Sequence, residues 1–214
     1  MAARARPPRP TTVVLVRHGR TGTTGKVLPG RARGLHLDDV GRAQAEAVAE
    51  HLGRLGDVAA VYTSPLERAR ETAAPTARAL GLRSSVDRGL VEVDTGEWTG
   101  ADLAGARRTR AWRAVQRYPT GFAFPGGESM LAMQSRVVAT LHALRDRHPG
   151  GTVVAFSHAD VIRAAVAHAL GVHLDLFQRV MIGTASVSTV AYGHDTVAVL
   201  GVNWRPAPFG EARP

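Results

Sequence analysis

The sequence predicts an α/β fold: a three-layer α/β/α sandwich whose central sheet is mostly parallel, with an antiparallel edge and a small helical lid insertion. Three observations predict it. Short β-branched runs alternate with longer segments whose apolar residues recur at helical spacing. The first run, Thr11 to Val16, is almost wholly apolar, as strands covered on both faces are. The last two runs are joined by a short Gly193-His194-Asp195 turn, which suits an antiparallel hairpin at one edge.

In chain order, residues 1–10 (MAARARPPRP) read as a disordered arm, rich in arginine and proline. Strand-like runs follow at 11–16 and 58–64, with a helical pattern at 40–54 between them. Ser64-Pro65 reads as a serine cap with proline at the first position of a helix over 66–80. The stretch SSVDRGLVEV, 84–93, is strand-like. Residues 95–128 then break the rhythm with TGEWTG, an arginine-rich helical stretch and YPTGFAFPGG. Too polar for a core layer, they read as a lid over the sheet's carboxyl edge. Gly126-Gly127-Glu128-Ser129 enters a helix over 129–147, and 152–157 is another strand. The helix over 159–170 sets Val161, Ile162, Ala165, Val166 and Ala169 at core spacing. Strands at 185–193 and 196–202 close one domain spanning 11–204, followed by a tail at 205–214.

Composition narrows the function classes. At 214 residues and 44% hydrophobic, the chain suits a single core. No apolar run approaches the roughly 20 residues needed to span a bilayer, and the N-terminus lacks the apolar core of a secretory signal. Cysteine is absent, which excludes disulfides and thiolate chemistry and points to the cytoplasm. A net charge of +9 would suggest nucleic acid, but Lys26 is the only lysine among 27 basic residues. So extreme a skew resembles codon bias, and many arginines alternate with acids, as in Glu67-Arg68-Ala69-Arg70-Glu71. Aromatics at 5% supply no stacking platform, so no nucleic-acid partner is expected. No metal is expected either: His158-x-Asp160 stands without a cysteine or an HExxH pattern.

Parallel strands present their carboxyl ends on one edge, where open α/β sheets bind ligands. There Arg17-His18-Gly19, Ser64-Pro65-Leu66-Glu67-Arg68 and Ser157-His158-Ala159-Asp160 should meet. Two imidazoles and two guanidiniums repel one another unless an anion sits between them. Arginine forks match phosphate oxygens, and a neutral histidine can attack phosphorus. The residues therefore point to a phosphoryl group.

In four motifs the chain resembles the histidine phosphatase superfamily, also called phosphoglycerate mutase-like: RHGRT (17–21), SPLERARETA (64–73), EVDTGEWTG (92–100) and SHADVIR (157–163). The resemblance runs from about residue 12 to 203, and all four motifs fall in order. It implies that His18 is the nucleophile, that Arg17, Arg68 and His158 clamp the phosphoryl oxygens, and that Glu92 is the general acid and base. Asp94 and Glu97 lie close enough to be the acid instead, and the sequence leaves that open. The implied enzyme is a phosphoric monoester hydrolase acting on a small-molecule phosphate ester, without cofactor, nucleic acid or membrane; a homodimer is left open.

Three departures touch substrate contacts. Arg20 stands where glutamate or glutamine is common. The asparagine often found after the histidine is missing, with Thr21, Thr23 or Thr24 to replace it as hydroxyl donors. Ala159 replaces a glycine. Mutases of the superfamily carry a long insertion after the acidic motif, and the segment from Glu92 to Glu128 is too short for it. A phosphatase is therefore favoured over a mutase, with a non-catalytic phosphate-binding module as a remoter alternative. Sugar phosphates, phosphoglycerates, nucleotide-like esters and ribazole phosphate all remain as substrates. Arg107, Arg108, Arg110, Arg113 and Arg117 read as a solvated face.

Overall fold

The computed structural model describes residues 9–206; the readings for residues 1–8 and 207–214 lie outside them. Six strands form one sheet in the order β3-β2-β4-β1-β5-β6. These are β1 (Thr11–Arg17), β2 (Val58–Thr63), β3 (Ser84–Val86), β4 (Thr152–Ser157), β5 (Val187–Tyr192) and β6 (Val197–Trp204). Pairings β1–β4, β2–β4 and β2–β3 are parallel, whereas β5 runs antiparallel to both β1 and β6. The expected edge hairpin is present.

The continuous apolar runs explain the layers, because alternate residues face opposite sides of a strand. On one side Val14, Val16, Val154 and Phe156 pack with Val48 and Leu52 of α1 (Asp39–Leu52) and Ala73 and Ala77 of α2 (Glu67–Ala79). On the other, Val13, Leu15, Val153 and Ala155 meet the helices that follow residue 129. These are α5 (Met130–Arg147), through Met133, Val137 and Leu141, and α6 (Ala159–Ala169), through Ile162 and Val166. Phe156 is fully buried, a burial worth roughly 1.5–3 kcal/mol. No helix among the described residues is long and apolar enough to cross a membrane.

Three expectations need correction. The stretch 84–93 pairs with β2 only over Ser84–Val86 and then tightens into a 3-10 turn. Asp87 drives that change, accepting a bond from Gly89 N at 2.8 Å that a strand could not make. Ser64 does not cap α2: the helix begins at Glu67, two residues past Pro65, and Leu66 occupies the cap position. Finally, residues 95–128 are not a single polar helix with loops. They hold two short helices, α3 (Leu103–Ala106) and α4 (Arg110–Arg117), and they do join the core through Val115 and Phe124.

Candidate active site

Register places the two histidines side by side. Arg17 and Ser157 are paired residues of β1 and β4, so His18 and His158 leave adjacent strands at the same level. The His18 N–H donates to the Ser157 carbonyl at 3.0 Å, and the ring centroids lie 5.2 Å apart. Next to β4, β2 ends in Ser64, whose N–H donates to the Phe156 carbonyl at 2.9 Å. The following turn delivers Arg68 in the first turn of α2.

His18 is oriented by its own neighbour: Nδ1 lies 2.7 Å from the Gly19 carbonyl oxygen. A carbonyl only accepts, so Nδ1 carries the proton and Nε2 keeps its lone pair. Burial, then the charges of Arg17 and Arg68, hold the His18 pKa well below its ordinary value. The ring is therefore neutral at pH 7, the form a nucleophile needs. The Gly19 N–H donates to Thr72 Oγ1 at 3.0 Å, and that hydroxyl donates to the Arg68 carbonyl at 2.7 Å. This ties the nucleophile's loop to α2. Gly19 has no room for a side chain, since an added Cβ would lie 2.6 Å from the Gly41 carbonyl oxygen.

Each of the two guanidiniums keeps a buried Nε donor to spare, Arg68 as a wholly buried residue and Arg17 as a half-buried one. Arg68 is wholly buried and donates to the Gly30 carbonyl at 2.9 Å, yet its Nε has no partner among the described residues. Arg17 donates to the Ile182 carbonyl at 2.8 Å, and its Nε is likewise unpartnered. Desolvation, then Arg163, lowers the Arg17 pKa to about 10, which still leaves it charged at neutral pH. A buried N–H without a partner costs about 1–3 kcal/mol, a cost that an oxyanion between the arginines would remove.

His158 is fully buried, with Nε2 2.7 Å from Ser64 Oγ and Nδ1 unpartnered among the described residues. It lies beneath the cavity surface; unlike Arg17, His18, Arg68 and Glu92, it is not part of the cavity wall. Burial, then Arg68, keeps it neutral. The misread Ser64 hydroxyl thus serves His158 rather than a helix.

Glu92 separates itself from the other candidate acids. It is only 8% exposed, lines the cavity, and its pKa is raised to about 7 by burial first and the Asp160 charge second. Asp94 instead accepts from Gly96 N at 3.0 Å and pairs with Arg31, while Glu97 is exposed. Neither lines the cavity.

The cavity measures about 350 Å³. Thr21, Thr24 and Ala159 line it, although the hydroxyls of Thr21, Thr23 and Thr24 largely bond one another at 3.1–3.2 Å. Leu103, Trp112 and Val115 from the 95–128 segment form another wall. Of the five arginines there, all exposed, only Arg107 reaches it. Sequence reasoning missed Arg163 and Gln178, which face the cavity and are joined at 3.1 Å; Arg163 also pairs with Asp160 at 3.0 Å. The i,i+3 spacing of Asp160 and Arg163 was the available signal. Among the described residues, no cluster of three or more histidines or carboxylates could hold a metal ion.

The sequence profile of the histidine phosphatase superfamily (branch 1) matches residues 13–205. The chain belongs to the histidine phosphatase superfamily. Within it, the chain is 35% identical over 193 residues to the Bifunctional protein Rv2228c of Mycobacterium tuberculosis, covering 87% of this chain and 51% of that protein. It thus spans about half the length of that relative. Phosphoserine phosphatase 1 of Hydrogenobacter thermophilus is 31% identical over 196 residues, covering 89% of this chain and 91% of that one. The solved structure of mycobacterial glucosyl-3-phosphoglycerate phosphatase Rv2419c superposes with a TM-score of 0.82 at 26% identity, covering 91% and 99% of the two chains. All four motifs read from the sequence fall within the matched residues.

Proposed function

We propose that the protein is a phosphomonoester hydrolase working through a phosphohistidine on His18. One observation carries this reading: His18 is pinned through Nδ1, neutral, with its Nε2 lone pair on a cavity flanked by Arg17 and Arg68, each with a buried Nε donor to spare. Nε2 attacks phosphorus as the P–O ester bond breaks, and Arg17 and Arg68 hold the charge on the equatorial oxygens. Glu92, protonated at neutral pH or below, gives its proton to the departing oxygen. The resulting carboxylate then takes a proton from water as that water attacks the phosphohistidine. Phosphate leaves, and both His18 and Glu92 return to their starting forms. His158 supports the site from beneath, bonded through Nε2 to Ser64.

Hydrolysis is favoured over mutase chemistry by the short segment between Glu92 and Glu128. The relatives' names point to phosphate esters that also carry a carboxylate, phosphoserine and glucosyl-3-phosphoglycerate. Arg107 and Arg163 on the cavity wall offer such a group a counter-charge, while Thr21, Thr24 and Ala159 border the phosphoryl end. We assign the enzyme to the cytoplasm, with no metal in its cycle. The test is phosphate release from a panel of phosphorylated metabolites in the presence of EDTA. Release from carboxylate-bearing monoesters is expected; strict dependence on added divalent metal, or 2-phosphoglycerate formed from 3-phosphoglycerate without phosphate loss, would overturn the reading.

A further inference from the structure

Behind the catalytic wall lies a second cleft, of about 660 Å³, which this reaction does not use. Arg31, Arg33, Arg70, Arg88 and Arg136 line it, with Glu67 as its one acid. Two of the five arginines are already engaged. Arg31 donates to Glu128 at 2.9 Å and to the Glu92 carbonyl at 2.9 Å, and Arg136 donates to both Glu128 oxygens at 2.9 Å. The remaining three, Arg33, Arg70 and Arg88, are exposed and have no side-chain hydrogen bond or ion pair among the described residues. They reach the cleft from three separate segments: the loop after β1, the first turns of α2, and the 3-10 turn at Arg88–Leu90. Glu67 is ionised, with backbone amides at the start of α2 and at Gly34 holding its pKa below the usual range, so it offsets one of these charges and leaves the cleft with an excess of cations.

Three unpaired cations aimed into one concavity repel one another until an anion enters. This differs from the arginines of residues 107–117, which follow one another along a single exposed segment. Each guanidinium fork matches one oxyanion edge, and three forks reaching a cleft of this size from separate segments suit a ligand that presents more than one anionic group. The cleft is also larger than the catalytic cavity, and Leu66 and Val91 give it apolar wall for a connecting scaffold. We infer that this cleft binds a small polyanion bearing two phosphoryl or carboxylate groups, at a site distinct from the catalytic cavity. The two sites stand back to back. Pro29, Arg68 and Glu92 face the catalytic cavity, while Arg31, Arg70 and Val91 of the same three segments face the cleft.

Because a polyanion will also enter the catalytic cavity, that cavity is first filled with orthovanadate. Pyrophosphate is then titrated by calorimetry, at low ionic strength, into the wild-type protein and into an Arg33→Gln/Arg70→Gln/Arg88→Gln variant. Wild type is expected to show one saturable pyrophosphate site, weakened at least about ten-fold in the variant and screened by salt. The variant should keep the wild-type melting temperature and its hydrolysis of p-nitrophenyl phosphate. Orthophosphate should bind the cleft at least about ten-fold more weakly than pyrophosphate, since it engages fewer forks. No pyrophosphate site beside vanadate, equal affinity in the variant, or equal binding of orthophosphate would each overturn the inference. Tighter binding of a single-stranded oligonucleotide, lost in the variant, would overturn it in favour of a nucleic-acid surface. Failure of vanadate to bind would count against the proposed reaction alone, because the difference between wild type and variant still reports on the cleft.

Discussion

Raising the pH should switch the first chemical step off through Glu92 before the arginine clamp is touched. The Glu92 carboxyl titrates near 7 rather than 4.5 because its charged form is desolvated and faces Asp160. Well above that point its acid form falls ten-fold per pH unit, so kcat/KM for an alkyl phosphate ester should drop about 50-fold between roughly pH 7 and 9. Arg17, titrating near 10, stays charged over most of that range. The assay compares a sugar phosphate with p-nitrophenyl phosphate, whose phenolate departs without a proton. Both esters are dianions over this range, so the difference between their profiles isolates the leaving-group proton. Glu92→Gln should lose the descending limb for the sugar phosphate along with most of the activity, yet still release a burst of nitrophenol. The same shift has a cost in stability. A carboxyl pKa raised on folding contributes stability below about pH 4.5 that is lost as pH rises through 7, on the order of 3 kcal/mol from 1.36 kcal/mol per unit. Urea denaturation at about pH 8 should therefore find Glu92→Gln more stable than wild type by up to that amount. A descending limb that persists in Glu92→Gln, or one equal for both esters, would refute the assignment.

Other substitutions probe the supports of the site. Thr72→Val leaves the buried Gly19 N–H without its acceptor, so a loss of about 1–3 kcal/mol and a fall in kcat are expected, read by thermal melts and steady-state kinetics. Gly41→Ala should destabilise by about 1–3 kcal/mol instead of gaining the usual ~1 kcal/mol of a helical Gly→Ala change, because the methyl would collide with the Arg20 carbonyl. A stabilised variant would mean that α1 does not brace the nucleophile's loop. His18 has a folded pKa well below 6.5, so the unfolded chain takes up its proton first and stability is lost as pH falls below about 6.5. His18→Asn should flatten that slope in denaturation curves at about pH 5 and 7, and an unchanged slope would show that the ring is not held neutral.

What was legible in the sequence had short-range physical causes. β1 and β4 announce themselves as continuous apolar runs ending abruptly in Arg17-His18 and Ser157-His158, and the parallel register of the sheet brings those ends together. Glu92 was legible as a candidate but not separable from Asp94 and Glu97, because burial and the Asp160 field decide among them. The reading of 84–93 as one strand failed where a local Asp87–Gly89 bond outcompeted pairing on an edge strand that has a single neighbour. Ser64 was misread because its sequence context fits a helix cap, whereas its partner, His158, lies 94 residues away. Arg31 escaped notice for the same reason: its bonds to Glu92 and Glu128 cross long stretches of chain that leave no periodic trace.

The central claim, covalent capture of the phosphoryl group by His18, is tested most directly by mass spectrometry of the enzyme quenched in alkali during turnover of a phosphorylated substrate. The account predicts one phosphoryl group per chain, acid-labile, on His18, absent from His18→Ala and accumulating in Glu92→Gln. An enzyme that turns over while His18 stays unmodified in Glu92→Gln, or that carries its label on His158, would contradict it.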